Sequence, residues 1–178
     1  MISGPSGVGK SSIVEAVLTA TNAEFSVSAT TRASRPGETD GVDYFFVSEE
    51  EFEAMILHDE LLEWARYGAS CYGTPRRPIE KSLVAGHEVI LDIENEGARQ
   101  IKNAVPAAVA IFILPPSLEE LEHRLRSRGD TPPHDVARRL SVAEAQIGEA
   151  PDVYDHLVVN DDLETAIRDV LSIITYGT

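Results

Sequence analysis

The segment Gly4-Pro5-Ser6-Gly7-Val8-Gly9-Lys10-Ser11 follows the pattern G-x-x-x-x-G-K-[ST] and runs directly into a helical stretch beginning Ser12-Ile13-Val14. Gly4, Gly7 and Gly9 let the backbone turn tightly and point several N–H groups inward, while the helix N-terminus adds the positive end of its dipole. The segment thus predicts an anion cradle between a strand and a helix. Lys10 can reach the outer phosphates of a bound nucleotide, and the Ser11 hydroxyl can join the coordination shell of Mg²⁺. Only Met1-Ile2-Ser3 precede the loop, whereas a strand feeding it takes about five residues. A short first strand, or a sequence that omits its start, is the expectation.

Downstream, short apolar runs alternate with helical patterns, the order of an α/β layer fold on a largely parallel sheet. His87 to Ile93, Ala108 to Leu114 and His156 to Val159 read as buried strands. Leu118, Leu121 and Leu125 share one helical face, and Leu163, Ala166, Ile167, Val170 and Ile174 form a second apolar stripe. Both stripes predict helices whose apolar side lies in a core. Between Phe25 and Thr74 the pattern shortens to SVSATTR, DYFFVS and LLEWARYG, broken by turn residues such as Arg35-Pro36-Gly37, which predicts a small inserted sheet. From Arg128 to Arg139 a helical pattern is interrupted by Gly129 and Pro132-Pro133, so a lid-like excursion is expected there.

With 178 residues, 43% of them hydrophobic, the chain can bury one sizeable core. Its longest nearly unbroken apolar stretch, Val105 to Leu114, is too short to span a bilayer, and no charged-then-apolar leader precedes the loop. A soluble, cytoplasmic protein with no membrane partner is expected. Cys71 is the single cysteine, which rules out an internal disulfide, suits a reducing compartment and reads as a packing residue. Oxygen-bound Mg²⁺ is the ion to expect. A net charge of −15 opposes binding to nucleic acid. The arginines nevertheless gather in islands, Arg32 with Arg35 and Arg124, Arg126 and Arg128 with Arg138 and Arg139, which suits either a local anionic ligand or solvated helix faces.

Beyond the loop, Ser28-Ala29-Thr30-Thr31-Arg32-Ala33-Ser34-Arg35-Pro36-Gly37-Glu38, Gly41-Val42-Asp43-Tyr44-Phe45-Phe46-Val47-Ser48, Glu63-Trp64-Ala65 and Tyr72-Gly73-Thr74-Pro75 resemble guanylate kinases. So do Pro115-Pro116-Ser117, the RLRSRG stretch from Arg124 to Gly129, and Val159-Asn160-Asp161-Asp162-Leu163, in family order over nearly the whole chain. The resemblance implies a P-loop NTPase-type, three-layer core with a parallel sheet, carrying a mixed β insert for GMP and a helical lid. As one domain over 1–178, the core would take 1–27, 83–122 and 143–178, the insert 28–82 and the lid 123–142. The implied reaction is ATP-dependent phosphorylation of GMP, and of dGMP, to the diphosphate in purine nucleotide metabolism, with Mg²⁺ as cofactor and the nucleotides as partners. Oligomeric state is left open.

Residue by residue, the resemblance puts ATP on Gly4, Pro5, Ser6, Gly7, Val8, Gly9, Lys10, Ser11 and Ser12, with Ser11 on Mg²⁺ and Asp92 near the ion through water. It puts GMP on Ser28, Arg32, Arg35, Glu38, Tyr44, Glu63, Tyr72, Thr74, Asp92 and Glu94. The local chemistry agrees: Arg32 and Arg35 offer planar donor forks for a dianionic phosphate, and Tyr44 and Tyr72 add hydroxyls. Guanine presents N1–H and its 2-amino group side by side, which one carboxylate, Glu63, can accept together; Ser28 and Thr74 would meet the O6 and N7 side. Lys10, Arg35, Arg128 and Arg139 form the expected clamp on the moving phosphoryl group, where positioning and positive charge do most of the work. The usual Glu-Ile-Asp or Asp-Ile-Asp run followed by Gln-Gly is here Asp92-Ile93-Glu94-Asn95-Glu96-Gly97, and Ala69-Ser70-Cys71 replaces a Gly-Asn-aromatic run before Tyr72.

Two other readings are open to such a chain. A ribose bisphosphate kinase would keep the loop but would not need Glu63. An interaction module on the same scaffold would not need Lys10 and Ser11.

Overall fold

The computed structural model describes residues 1–127 and 132–177. Its elements in chain order begin with β1 (Ile2–Ser3), α1 (Lys10–Ala20), β2 (Glu24–Phe25), β3 (Ala29–Thr30), β4 (Phe45–Phe46) and α2 (Glu49–Leu57). They continue with β5 (Leu61–Tyr67), β6 (Ser70–Pro75), α3 (Arg76–Val84), β7 (Val89–Ile90) and α4 (Asn95–Ala104). The last are β8 (Ile111–Leu114), α5 (Leu118–Ser127), α6 (Pro133–Glu149), a 3-10 turn (Ala150–Asp152), β9 (His156–Val159) and α7 (Leu163–Tyr176).

The chain divides into two compact units, 1–21 with 92–95 and 108–178, and 22–91 with 96–107. In the first, β1, β8 and β9 pair in parallel in the order β1-β8-β9, with Ile2 opposite Ile111 and Ile111 opposite His156. Ile2 also makes an isolated parallel bridge to Asp92. The first strand is two residues long. Ile111, Phe112 and Ile113 are almost wholly buried, as are Ile13 and Val17 of α1 and Ala166 and Val170 of α7. Each of these valine, isoleucine and phenylalanine side chains contributes roughly 1.5–3 kcal/mol of transfer free energy.

Two expected core positions are corrected. Leu118 and Leu163 are 36% and 41% exposed, whereas Leu121 and Leu125, one and two turns further along α5, are fully buried. Both exposed leucines open their helices, where the chain has only just turned onto the core and the apolar stripe is not yet covered. The strand readings are also too long: His87 to Ile93 yields Val89–Ile90 and Ala108 to Leu114 yields Ile111–Leu114. His156–Val159 keeps its bounds but is not a buried strand: Val158 is buried, while Leu157 and Val159 are exposed.

The second unit carries a two-stranded parallel pair, β2 with β7, and a four-stranded mixed sheet in the order β4-β3-β6-β5. In the mixed sheet β3 and β4 run parallel, while β6 is antiparallel to both β3 and β5. Phe52 of α2, Ala29, Leu61 and Cys71 form its buried cluster, with Phe45, Val47, Met55 and Ile56 against it. Cys71 is a packing residue. Helix α2 begins with a capping box: the Ser48 hydroxyl accepts from Glu51 N–H, and the Glu51 carboxylate accepts from Ser48 N–H at 2.7 Å. On the outer strand β5, the Gln100 side chain accepts from Trp64 N–H at 3.1 Å and donates to Trp64 C=O at 2.9 Å.

Candidate active site

The loop between β1 and α1 turns as its glycines require. Gly7 and Gly9 have φ of 87° and 97°, in the left-handed region that favours glycine. At Gly9, the N-cap of α1, a Cβ would also land on the Asn160 side-chain amide. The loop lines a cavity of about 340 Å³ shared with Glu94, Arg138, Arg139, Val142 and Gln146. Gly4, Pro5, Ser6, Gly7, Gly9, Lys10, Ser11 and Ser12 all face it; Val8 instead is fully buried and donates its N–H to Pro5 C=O at 3.2 Å.

The charges around the cavity are arranged in pairs. The Lys10 ammonium is joined to the Asp92 carboxylate. Arg139 donates from Nε to Asp135 at 2.9 Å and from a terminal nitrogen to Ser6 Oγ at 3.3 Å, so it bridges α6 and the loop. Arg138 donates to the other Asp135 oxygen at 2.8 Å with its side chain 71% exposed. These donors, Arg138 first and Arg139 second, hold the Asp135 carboxyl below its ordinary range. Glu94 accepts from Gln146 Nε2 at 3.1 Å. Arg128, expected in the same clamp, and Gly129 of the expected lid interruption lie outside the described residues.

On the second unit, Arg32 and Glu38 meet fork to fork, with both N···O distances 2.9 Å. The Arg32 guanidinium lies 5.3 Å from the Tyr44 ring centre and 5.7 Å from that of Phe46. A turn over Arg35-Pro36-Gly37-Glu38 sets this up: Glu38 N–H donates to Arg35 C=O, Gly37 has φ of 92°, and the Glu38 carboxylate accepts from Arg35 N–H at 2.7 Å. The Arg32 hydrogen bonds hold the Glu38 carboxyl below its usual range, with Arg35 N–H adding to the effect, and the Arg32 guanidinium is correspondingly harder to deprotonate. Tyr44 and Tyr72 pack edge to face at 6.0 Å.

Tyr72 and Thr74 alternate along β6 and so share one face, and Glu63 stands opposite Thr74 in the β5–β6 register. The Thr74 hydroxyl donates to Glu63 Oε1 at 2.5 Å, and both residues are buried. Burial pushes the Glu63 carboxyl up from its ordinary range, with the Thr74 donor acting in the opposite direction. Among the expected GMP residues, Ser28, Arg32, Arg35, Glu38, Tyr44, Glu63, Tyr72 and Thr74 belong to the second unit, whereas Asp92 and Glu94 belong to the first.

Three positioning residues escaped the sequence reading. Asn160 is buried and donates from Nδ2 to Val8 C=O at 2.7 Å. Asn95, also buried, donates to Gln146 C=O at 3.1 Å and accepts from the Tyr154 hydroxyl at 3.0 Å, tying the Asp92–Asn95 segment to α6. Gln146 in turn holds Glu94. Each acts across more than fifty residues of sequence, so no local pattern marks it; the one available signal is a polar residue beside a buried run.

A glycine-rich cradle opening a helix on a parallel-stranded α/β unit, lined by lysine and arginine, defines a phosphate-loop nucleotide-binding protein. The family model for guanylate kinase matches residues 1–176. The chain is 50% identical to a guanylate kinase of Thermus thermophilus over 98% of its own length and 79% of that relative. It is 52% identical to one of Thermosynechococcus vestitus over 94% and 87%. The crystal structure of the Anaplasma phagocytophilum guanylate kinase superposes with a TM-score of 0.79 at 33% identity, covering 99% of this chain and 83% of that one. The chain belongs to the guanylate kinase family.

Proposed function

We infer that the protein catalyses transfer of the γ-phosphoryl group of ATP to GMP, giving ADP and GDP. The observation that carries this reading is the family match over residues 1–176 on a chain whose phosphate cradle keeps Lys10 and Ser11 facing the cavity.

Each group has a role its chemistry supports. The loop N–H groups bind the phosphates of ATP, and Lys10 exchanges the Asp92 carboxylate for β- and γ-phosphate oxygens. Arg139, already held between Asp135 and Ser6, adds charge beside the phosphates; Arg35 and Arg128 complete the clamp. Arg32, locked by Glu38, presents a fork to the GMP phosphate, with Tyr44 and Tyr72 as hydroxyl partners. Glu63, with Ser28 and Thr74, reads the guanine. The oxygen donors near the cradle, Ser11 Oγ and the Asp92 carboxylate, are of the kind Mg²⁺ takes. Among the described residues no group of three or more His, Cys, Asp or Glu could hold a metal, so such an ion would draw most of its ligands from phosphate and water. Mg²⁺ bound there would neutralise phosphate charge and fix the phosphate geometry. Among the described residues no helix is long and apolar enough to cross a membrane.

The test is an ADP-release assay across GMP, dGMP, AMP, CMP, UMP and ribose bisphosphate. Turnover confined to the guanine nucleotides is expected. Silence with GMP, or equal rates with AMP, would overturn the assignment.

A further inference from the structure

Gly97 occupies the third position of α4, inside a helix where glycine is a poor choice relative to alanine. Its backbone gives no reason for the choice, because its φ lies outside the left-handed region. The reason is space. A Cβ at Gly97 would stand 2.5 Å from Glu63 Oε2, 3.0 Å from Glu63 Cδ and 3.4 Å from Cγ. Gly148, the glycine near the end of α6, is different: a Cβ there would meet nothing within 4 Å. The Glu63 carboxylate is therefore seated between two supports. The Thr74 hydroxyl holds one oxygen, and the bare Gly97 Cα leaves room for the other.

We propose that Gly97 is a specificity-positioning residue, whose missing side chain sets where the Glu63 carboxylate stands and hence how tightly guanine is preferred over adenine. The inference rests on the guanine-reading role assigned to Glu63 above. The atoms that a new methyl would strike are the far end of a side chain rather than backbone. The fold can absorb Gly97→Ala by moving the carboxylate, and that movement is the functional damage. Alanine also suits the helix better, so a loss of activity would not come with a loss of stability.

The experiment compares wild type, Gly97→Ala, Glu63→Asp, the double variant and Gly148→Ala, measuring kcat and KM for GMP and AMP, KM for ATP, and Tm. Gly97→Ala should lower kcat/KM for GMP about tenfold, mostly through KM, with AMP efficiency, the KM for ATP and Tm little changed. Gly148→Ala should behave as wild type. Aspartate is one methylene shorter and withdraws from the new methyl, so Gly97→Ala should cost at least about threefold less in the Glu63→Asp background than alone. If Glu63→Asp lowers the GMP-to-AMP ratio but Gly97→Ala does not, or if the two effects simply multiply, Gly97 has no positioning role. A parallel fall in GMP and AMP efficiency with a lower Tm would make Gly97 structural and overturn the proposal. If neither Glu63→Asp nor Gly97→Ala moves the ratio, the guanine-reading role of Glu63 falls first and this inference with it.

Discussion

The Asn160 side-chain amide donates a 2.7 Å hydrogen bond to the Val8 carbonyl across 152 residues of sequence, pinning the phosphate loop from its buried side. Arg124 donates in turn to Asn160 C=O at 3.1 Å. Asn160→Ala leaves the buried Val8 carbonyl without this donor, a loss of about 1–3 kcal/mol. Chemical denaturation should register that loss, and KM for ATP should rise while KM for GMP holds. An unchanged KM for ATP would limit Asn160 to a packing role.

Lys10→Met removes the cation proposed to follow the migrating charge, and also the partner of Asp92. Losing one such electrostatic donor costs about 10²–10³ in rate. Turnover should fall by that factor with an unaltered circular dichroism spectrum. A folded variant with near-normal turnover would remove Lys10 from the reaction.

Glu63→Gln should lower the GMP-to-AMP ratio of kcat/KM at least about tenfold, since one acceptor oxygen becomes a donor facing a donor. The pH dependence follows from burial, which raises the Glu63 carboxyl in the folded protein. The folded state therefore keeps its proton to higher pH than the unfolded chain does. The stability this site contributes is complete below the unfolded value and is lost as pH rises through the raised folded value. Gln does not ionise, so the Tm of Glu63→Gln relative to wild type should climb across that interval. GMP capture has the opposite sign: wild-type KM for GMP should improve as the carboxylate forms, and the variant should lack that limb. A flat difference in Tm across the interval would place Glu63 at its ordinary range.

Arg32→Lys keeps the charge but replaces a planar fork held at 2.9 Å on both arms by Glu38 with a point ammonium. Such a change at a bidentate, ring-stacked site is not conservative. KM for GMP should rise about tenfold, the cost of one charge-assisted hydrogen bond, with KM for ATP constant. Equal affinity in the variant would mean that Arg32 serves only the turn that Glu38 closes.

What could be read from sequence was whatever a short stretch of chain decides alone. The cradle is of this kind, because Gly4 to Ser11 fold on themselves and their spacing states the chemistry. The Arg35-Pro36-Gly37 turn is another, since proline fixes one φ and glycine admits the positive φ that follows. Ser48 and Glu51 carry a readable helix start at the end of a segment whose pattern otherwise reads as strand. Leu118 and Leu163 misled because helical spacing reports which face is apolar and not where along the helix the cover begins. Asn160, Asn95 and Gly97 were silent for a different reason. Their roles are defined by partners 152, 51 and 34 residues away, at Val8, Gln146 and Glu63, and no window of sequence contains both ends.

The Gln100 amide that accepts from and donates to Trp64 does more than steady one strand. Strand β5 ends its sheet among the described residues, and an end strand offers its free N–H and C=O groups as a template on which another chain can align. By answering both groups of Trp64, next to Glu63, a single side chain imitates the neighbour that the sheet lacks. The strand that carries the proposed base-reading carboxylate is thereby closed at that position to a pairing chain, and the side chain that closes it also steadies the residue next to Glu63.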